Sequence, residues 1–282
     1  MPLRRYWTPF WAKDGDMTIS IIKIGGNVID HPDKLEAFLM LFAQFPGRKI
    51  LIHGGGVMAS RFGESMGIMP QMKDGRRITD KDTLQVVTMV YAGLINKQLV
   101  ARLQSLDQNV IGFTGADGNL IRSEKRPVKD IDYGYVGDVK EVNSHLLDLL
   151  LSEGIVPVVC AITHDKNGQL LNTNADTIAS EIATSLAKKH TVNLYYCFDR
   201  PGVLIDEKND ASLIPLINEE IFEELKQEKV IHSGMIPKLD NAFAALYKGV
   251  NRVWLGLPEN LLLAEKGKSA GTNIEKRRYD LY

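Results

Sequence analysis

The stretch "ISIIKIGGNVID", Ile19 to Asp30, decides the fold. Its first six residues are apolar on both faces except for Ser20 and Lys23, which is the pattern of a strand covered on both sides rather than one wetted on one face. Two glycines follow at once, and the chain then resumes with Val28 and Ile29 in a helical direction. A strand, a glycine turn and a helix in that order are the opening of an α/β unit. The lysine inside the apolar run is the anomaly, because an ammonium group buried without a partner is costly.

The pattern repeats along the chain. Short β-rich runs occur at "KILIH", "NVIGF", "IVPVV", "TVNLYYC" and "RVWLGL", and amphipathic helical patterns separate most of them, among them "KLEAFLMLFAQF", "TLQVVTMVYAGLINKQLVARLQ", "NSHLLDLLLSEG" and "NADTIASEIATSLAKK". This alternation predicts an α/β protein with a mainly parallel sheet covered on both sides. Leu120 to Asn143 breaks the rhythm with a polar, alternating run carrying Pro127, Gly134 and Gly137, read as a β-hairpin excursion. "DKNGQ", Asp165 to Gln169, predicts a second, tighter hairpin before "LLNTNAD". A lobe boundary is expected near Lys188 to Thr191, dividing the chain into an extension (1–16), an N-terminal lobe (17–189) and a C-terminal lobe (190–282).

Composition excludes several classes. In 282 residues, 34 basic and 35 acidic side chains leave a formal charge of −1, without the basic footprint of a nucleic-acid or polybasic membrane protein. The only cysteines, Cys160 and Cys197, lie in separate apolar runs, which argues against a disulfide framework or metal-ligand spacing and for a reducing, cytoplasmic setting. No apolar run approaches the ~20 residues of a membrane-spanning helix. The opening "MPLRRYWTPFWAKDGD" lacks an apolar core of signal-peptide length, and reads as an ordered arm or as sequence upstream of a second start at Met17.

In an open parallel sheet, ligands collect beyond the carboxyl ends of the strands. Two junctions there carry glycines in succession: Lys23 to Gly26, and "HGGG", His53 to Gly56. Consecutive glycines let backbone N–H groups converge, and a following helix N-terminus adds positive charge, so the natural guest is an anion. Either turn alone could be a tight connection and no more, and Lys23 alone could snorkel at the strand end. "NTNAD", Asn172 to Asp176, opens a helix and could be an ordinary cap. In "HSGMIPKLDNAFAALYKG", Ser233 can cap a helix closed by Gly249, which places Lys238 near the first turn. There its charge opposes the helix dipole and calls for a bound anion or a neighbouring carboxylate.

Two other matches fail on context. "KGKSAGT" lacks the first glycine of a P-loop, with Leu262 in its place, and no strand leads into it. "GESMG", Gly63 to Gly67, has the spacing of a serine-hydrolase elbow and "HGGG" that of an esterase oxyanion loop, but the run before Ser65 reads as helix where the elbow needs a strand.

Taken together, "KIGG", "HGGG", "DGRRITD", "NTNAD", "FDRPGVL" and "SGMIPK" resemble the amino acid kinase family in order, and "GRRITD" with N-x-N-A-D resembles its acylglutamate kinase branch. The resemblance spans about Ile19 to Ile274. It implies a three-layer αβα sandwich, an N-terminal lobe for the acyl amino acid and a C-terminal lobe for ATP with Mg²⁺. The implied reaction is phosphorylation of the side-chain carboxylate of an N-acyl-L-glutamate, acetyl or a longer acyl such as succinyl, in arginine biosynthesis.

Carried onto matching positions, Lys23 and Lys238 would neutralise the transferring phosphoryl group and Asp176 would hold both. Gly25 and Gly26 would face the nucleotide phosphates, and Gly55 and Gly56 the acceptor and phosphoryl oxygens. Arg77 would grip the α-carboxylate, with Asn172 beside it, and Asp199, Gly202 and Leu204 would line the nucleotide pocket. Asn27, Val57 and Phe198 depart from the family pattern. The short extension and the partial "LLLAEKGKSAGT" imply a homodimer without strong arginine feedback.

The apolar face between Leu84 and Leu103 is either a dimer interface or ordinary core. Other readings are a glutamate, aspartate or UMP kinase of the same fold, a serine esterase, and a non-catalytic sensor. An acceptor carboxylate is already ionised near neutral pH, so the absence of an evident general base fits the kinase.

Overall fold

The computed structural model describes residues 18–73, 76–206, 208–231, 235–268 and 270–276. The 1–16 extension, Met17 and the cap assigned to Ser233 lie outside them. The chain begins with β1 (Ile19–Ile24), a single helical turn α1 (Gly26–Ile29) and α2 (Pro32–Gln44), and returns through β2 (Arg48–His53) into α3 (Gly56–Ser65). A small hairpin, β3 (Gln71–Lys73) and β4 (Arg76–Ile78), precedes a long helix. That helix comprises α4 (Lys81–Thr88), a π-helical stretch (Met89–Ile95) and α5 (Asn96–Gln104). Then follow β5 (Val110–Phe113), the pair β6 (Ile121–Lys125) and β7 (Gly137–Val142), α6 (Ser144–Ser152), β8 (Val156–Cys160), the pair β9 (Ile162–His164) and β10 (Leu170–Asn172), and α7 (Ala175–Leu186).

The remainder contains β11 (Val192–Cys197), the short pair β12 (Val203–Leu204) and β13 (Leu213–Ile214), and β14 (Leu216–Ile217). After these come α8 (Glu219–Gln227), α9 (Ile236–Tyr247), β15 (Arg252–Gly256), α10 (Leu261–Glu265) and β16 (Thr272–Ile274). The central sheet has the order β14-β16-β15-β11-β1-β2-β8-β5, and only β15 with β16 is antiparallel. The expected α/β architecture is therefore present. The first segment sits in the middle of the sheet, where Ile19, Ile21, Ile22 and Ile24 are all fully buried. Both predicted hairpins form, β6 with β7 and β9 with β10, and together they make a second sheet over the carboxyl end of the first. The expected lobe boundary falls between α7 and β11, yet β1 and β11 pair along their full length, so one continuous sheet crosses it.

Within one chain, the face between Leu84 and Leu103 is partly core, while Met89 of the same helix is exposed. Leu84, Val87, Ile95, Leu99 and Leu103 pack inside the chain's own hydrophobic cluster. The hydrolase elbow is excluded by geometry. Ser65 ends helix α3 and its hydroxyl donates to the Phe62 carbonyl at 2.7 Å. Gly267 lies after α10 and before β16, the reverse of the strand-to-helix order that a P-loop needs.

Candidate active site

Lys23 is the fifth residue of β1, with Ile52 and Tyr196 as register neighbours. Its stem therefore runs through the core and its ammonium emerges at the carboxyl rim. There it meets the first turn of α7. Asn174 caps that helix by accepting from the N–H groups of Asp176 and Thr177, so the cap reading is correct for Asn174. Asp176 is thereby placed where a carboxylate favours the helix N-terminus. Lys23 Nζ lies 2.7 Å from Asp176 Oδ1, and Lys238 Nζ, from the first turn of α9, lies 3.2 Å from Oδ2. The misfit of Lys238 with its own helix dipole is resolved by the carboxylate of the neighbouring helix.

All three side chains are largely enclosed, at 11%, 15% and 15% exposure for Lys23, Asp176 and Lys238. Burial lowers the pKa of Lys23; Asp176 pushes it back up and Lys238 lowers it again, with a net downward direction. Burial also works against ionisation of Asp176, but the two ammonium groups outweigh it and hold the carboxyl well below the usual range. Two cations on one buried carboxylate leave a net positive site that requires a further anion.

That site opens into a cleft of about 310 Å³, also lined by Gly26, Gly55, Gly56, Arg77, Tyr91 and Asn172. Arg77 Nη2 donates to the Gly56 carbonyl at 2.8 Å and to Ser60 Oγ at 2.7 Å, which ties the β3–β4 hairpin to the second glycine turn. Asn172 Nδ2 donates to Thr79 Oγ1 at 3.0 Å. Gly55 has φ +147°, and a Cβ there would collide with Ile95 Cδ1, so the close approach of the π-helical stretch requires glycine.

Gly25 behaves differently from the expectation. Its N–H is already committed to the Cys197 carbonyl at 2.8 Å, so it shapes the turn while the start of α1 at Gly26 faces the cleft.

The proposed nucleotide residues stand apart from this cleft. Gly202 and Leu204 line a small slot of about 40 Å³ with Val230, Ile231 and Met235. Asp199 accepts a 2.6 Å hydrogen bond from Asn27 Nδ2, so the residue that departs from the family pattern links the first glycine turn to the loop after β11. Phe198, another departure, lies with its ring 5.4 Å from Lys238 Nζ.

Sequence reasoning missed Arg126 altogether. It lies on the hairpin excursion but lines the cleft, with Nε and Nη2 on Asp138 (2.5 to 3.3 Å) and Nη1 buried without a hydrogen-bond partner among the described residues. Only the turn residues around it signalled the hairpin, and nothing local marks which hairpin residue returns to the cleft. Tyr91 was missed because it reads as one more core position of a long helix.

The amino acid kinase family model matches residues 18–256. The acetylglutamate kinase of Cytophaga hutchinsonii is 54% identical over 256 residues, covering 90% of this chain and 97% of its own. That of Parabacteroides distasonis is 52% identical over 233 residues, covering 83% and 91%. Among solved structures, an N-acetylglutamate synthase from Neisseria gonorrhoeae, complexed with coenzyme A and N-acetyl-glutamate, superposes with a TM-score of 0.79 at 21% identity over 93% of this chain and 60% of that one. At that identity the likeness concerns the fold alone.

Proposed function

The chain belongs to the amino acid kinase family, and from that membership we propose that it transfers the γ-phosphoryl group of ATP to the side-chain carboxylate of N-acetyl-L-glutamate, as an enzyme of arginine biosynthesis. The observation that carries this reading is the bridge of Lys23, Asp176 and Lys238 at the floor of a cleft that also holds Arg77 and both glycine turns. Phosphoryl transfer asks for positioning and charge neutralisation more than for covalent chemistry. Lys23 and Lys238 supply positive charge where negative charge develops on the phosphoryl oxygens, and Asp176 keeps the two cations together between turnovers.

Gly55 and Gly56 direct backbone N–H groups toward the acceptor and phosphoryl oxygens, and Gly26 toward the nucleotide phosphates. Arg77 pairs with the α-carboxylate and Asn172 with the amide of the acylated amino acid. We place the base of ATP in the slot formed by Gly202 and Leu204, with Asp199 beside the ribose. This assigns the acceptor to the 17–189 half and the nucleotide to the 190–282 half. Among the described residues no three His, Cys, Asp or Glu side chains converge on a metal position. Magnesium enters this scheme on the triphosphate of the substrate, where it adds neutralising charge.

A second acyl group is favoured by Arg126, whose guanidinium also lines the acceptor cleft. The terminal carboxylate of an N-succinyl-L-glutamate would pair with it. The proposed assembly is a homodimer, supported by the edge position of β5, whose Ile111 is exposed. The proposed location is the cytoplasm; no described helix is long and apolar enough to cross a membrane.

Hydroxylamine trapping with MgATP tests the reading. Acyl hydroxamate is expected from N-acetyl- or N-succinyl-L-glutamate, with the higher kcat/KM naming the acyl group. Hydroxamate from glutamate or aspartate alone, ADP release that depends on UMP and yields no hydroxamate, or no product from any of them, would overturn it.

A further inference from the structure

His53, the first residue of the second glycine turn, has no part in the chemistry above, yet it is fully buried and fully hydrogen-bonded. Its Nδ1 lies 2.9 Å from the Gly54 carbonyl. A carbonyl only accepts, so Nδ1 carries the proton and Nε2 is left as an acceptor. Nε2 lies 3.0 Å from Asn96 Nδ2, which also donates to the Val158 carbonyl at 2.9 Å, while Asn96 Oδ1 accepts from Lys97 Nζ at 3.0 Å. Reversing the Asn96 amide would set oxygen against both Nε2 and the Val158 carbonyl, so the network has one consistent assignment. Burial holds the imidazole neutral, with its pKa pushed down to about 4.

The Gly54 carbonyl belongs to the same peptide unit as the Gly55 N–H. In a trans peptide the two point in opposite directions. A carbonyl pinned toward the buried imidazole therefore sends the Gly55 N–H away from the core, toward the cleft that Gly54, Gly55 and Gly56 line. The preceding residue of the helix, Ile95, closes on Gly55 from the other side, and Tyr91 completes the wall. Asn96 begins α5 directly after the π-helical stretch, so this change of helical pitch sets Tyr91, Ile95 and Asn96 against one turn.

We propose that His53, locked as the Nδ1–H tautomer by Asn96, is the positioning residue that aims the Gly55 N–H at the transferring phosphoryl group. The role rests on the phosphotransferase reading of the cleft. It is a preorganised dipole held by a buried pair, with no proton passed through the ring.

The test compares His53→Asn, whose side-chain N–H reproduces the Nδ1 donor, with His53→Leu, which removes it, in a folded wild-type background that forms hydroxamate. His53→Leu is expected to lower kcat roughly ten- to hundred-fold, a fraction of the loss seen when an oxyanion donor is removed outright. KM for ATP should stay within about threefold and ADP–aluminium fluoride should bind correspondingly more weakly. His53→Asn should recover most of the lost kcat. A His53→Leu enzyme with a lowered melting temperature but kcat within about threefold of wild type would show a purely structural role and overturn the proposal. Should both variants fail to fold, ¹⁵N spectra of the imidazole in the unaltered protein decide: the Nδ1–H tautomer is required, and the Nε2–H tautomer overturns the proposal. An inactive wild type would instead count against the kinase reading and leave the tautomer result standing.

Discussion

Two buried lysines on adjacent strands sit at opposite rims of the central sheet, and their surroundings differ in one respect. At the amino rim, Lys49 of β2 is 4% exposed and its ammonium donates to the carbonyls of Phe42, Ala43 and Phe45 at 2.6, 3.2 and 2.7 Å, closing the end of α2. All three protons have acceptors. At the carboxyl rim, Lys23 of β1 touches one carboxylate oxygen, and that carboxylate is shared with a second lysine. The structural cation is saturated by its own chain, whereas the one proposed here to act in phosphoryl transfer has, among the described residues, donors left for a ligand. Burial alone does not distinguish them; the count of occupied donors does.

The largest expected effect breaks the comparison directly. Lys23→Met should reduce kcat by at least about a thousandfold, in line with the loss of charge clamps in phosphoryl transfer. Lys49→Met should leave kcat within about threefold while lowering unfolding free energy by roughly 1–3 kcal/mol, because buried carbonyls lose their donor. Steady-state kinetics and urea titration of the two variants check both halves. Equal loss of activity in the two would show that the rims are not functionally distinct.

A smaller effect concerns the partner that separates the two lysines. Asp176 has a depressed pKa in the folded protein, so it binds a proton less readily there than in the unfolded chain. Its stabilisation is present above the unfolded carboxylate value near 4 and is lost as pH falls from there toward the depressed folded value. Asp176→Asn should cost roughly 3–5 kcal/mol at neutral pH by leaving two ammonium groups unbalanced. It should also flatten the acid limb of stability below about pH 4 relative to wild type. An unchanged acid limb would mean that Asp176 is not the carboxylate that couples the lysines.

The smallest effect sharpens the other side. Burial lowers the pKa of Lys49 from 10.5 to about 8. Between those values the unfolded chain holds a proton that the folded chain has released, so this residue makes stability rise with pH across that window. Stability profiles of wild type and Lys49→Met should diverge there. Parallel profiles would show that the three carbonyls keep the ammonium charged.

Much of this is legible in the sequence. Strand, glycine turn and helix are written in adjacent residues, because the two-residue period of a strand, the freedom of glycine and the preference of asparagine for a helix start are local properties. Lys23 and Lys238 were conspicuous for the same reason: each violates a local rule, one by placing charge in an apolar strand and the other by opposing a helix dipole. What the chain could not display locally was how distant violations cancel. The meeting of both lysines on Asp176, the N–H of Gly25 taken by Cys197, the return of Arg126 from its hairpin and the locking of His53 by Asn96 all depend on which elements the sheet order brings to one rim. Local sequence determined the parts and the places where charge was left over. Only the tertiary structure decided which leftovers are neutralised and which remain open, because ion pairing and hydrogen bonding act over a few ångströms of space irrespective of separation along the chain.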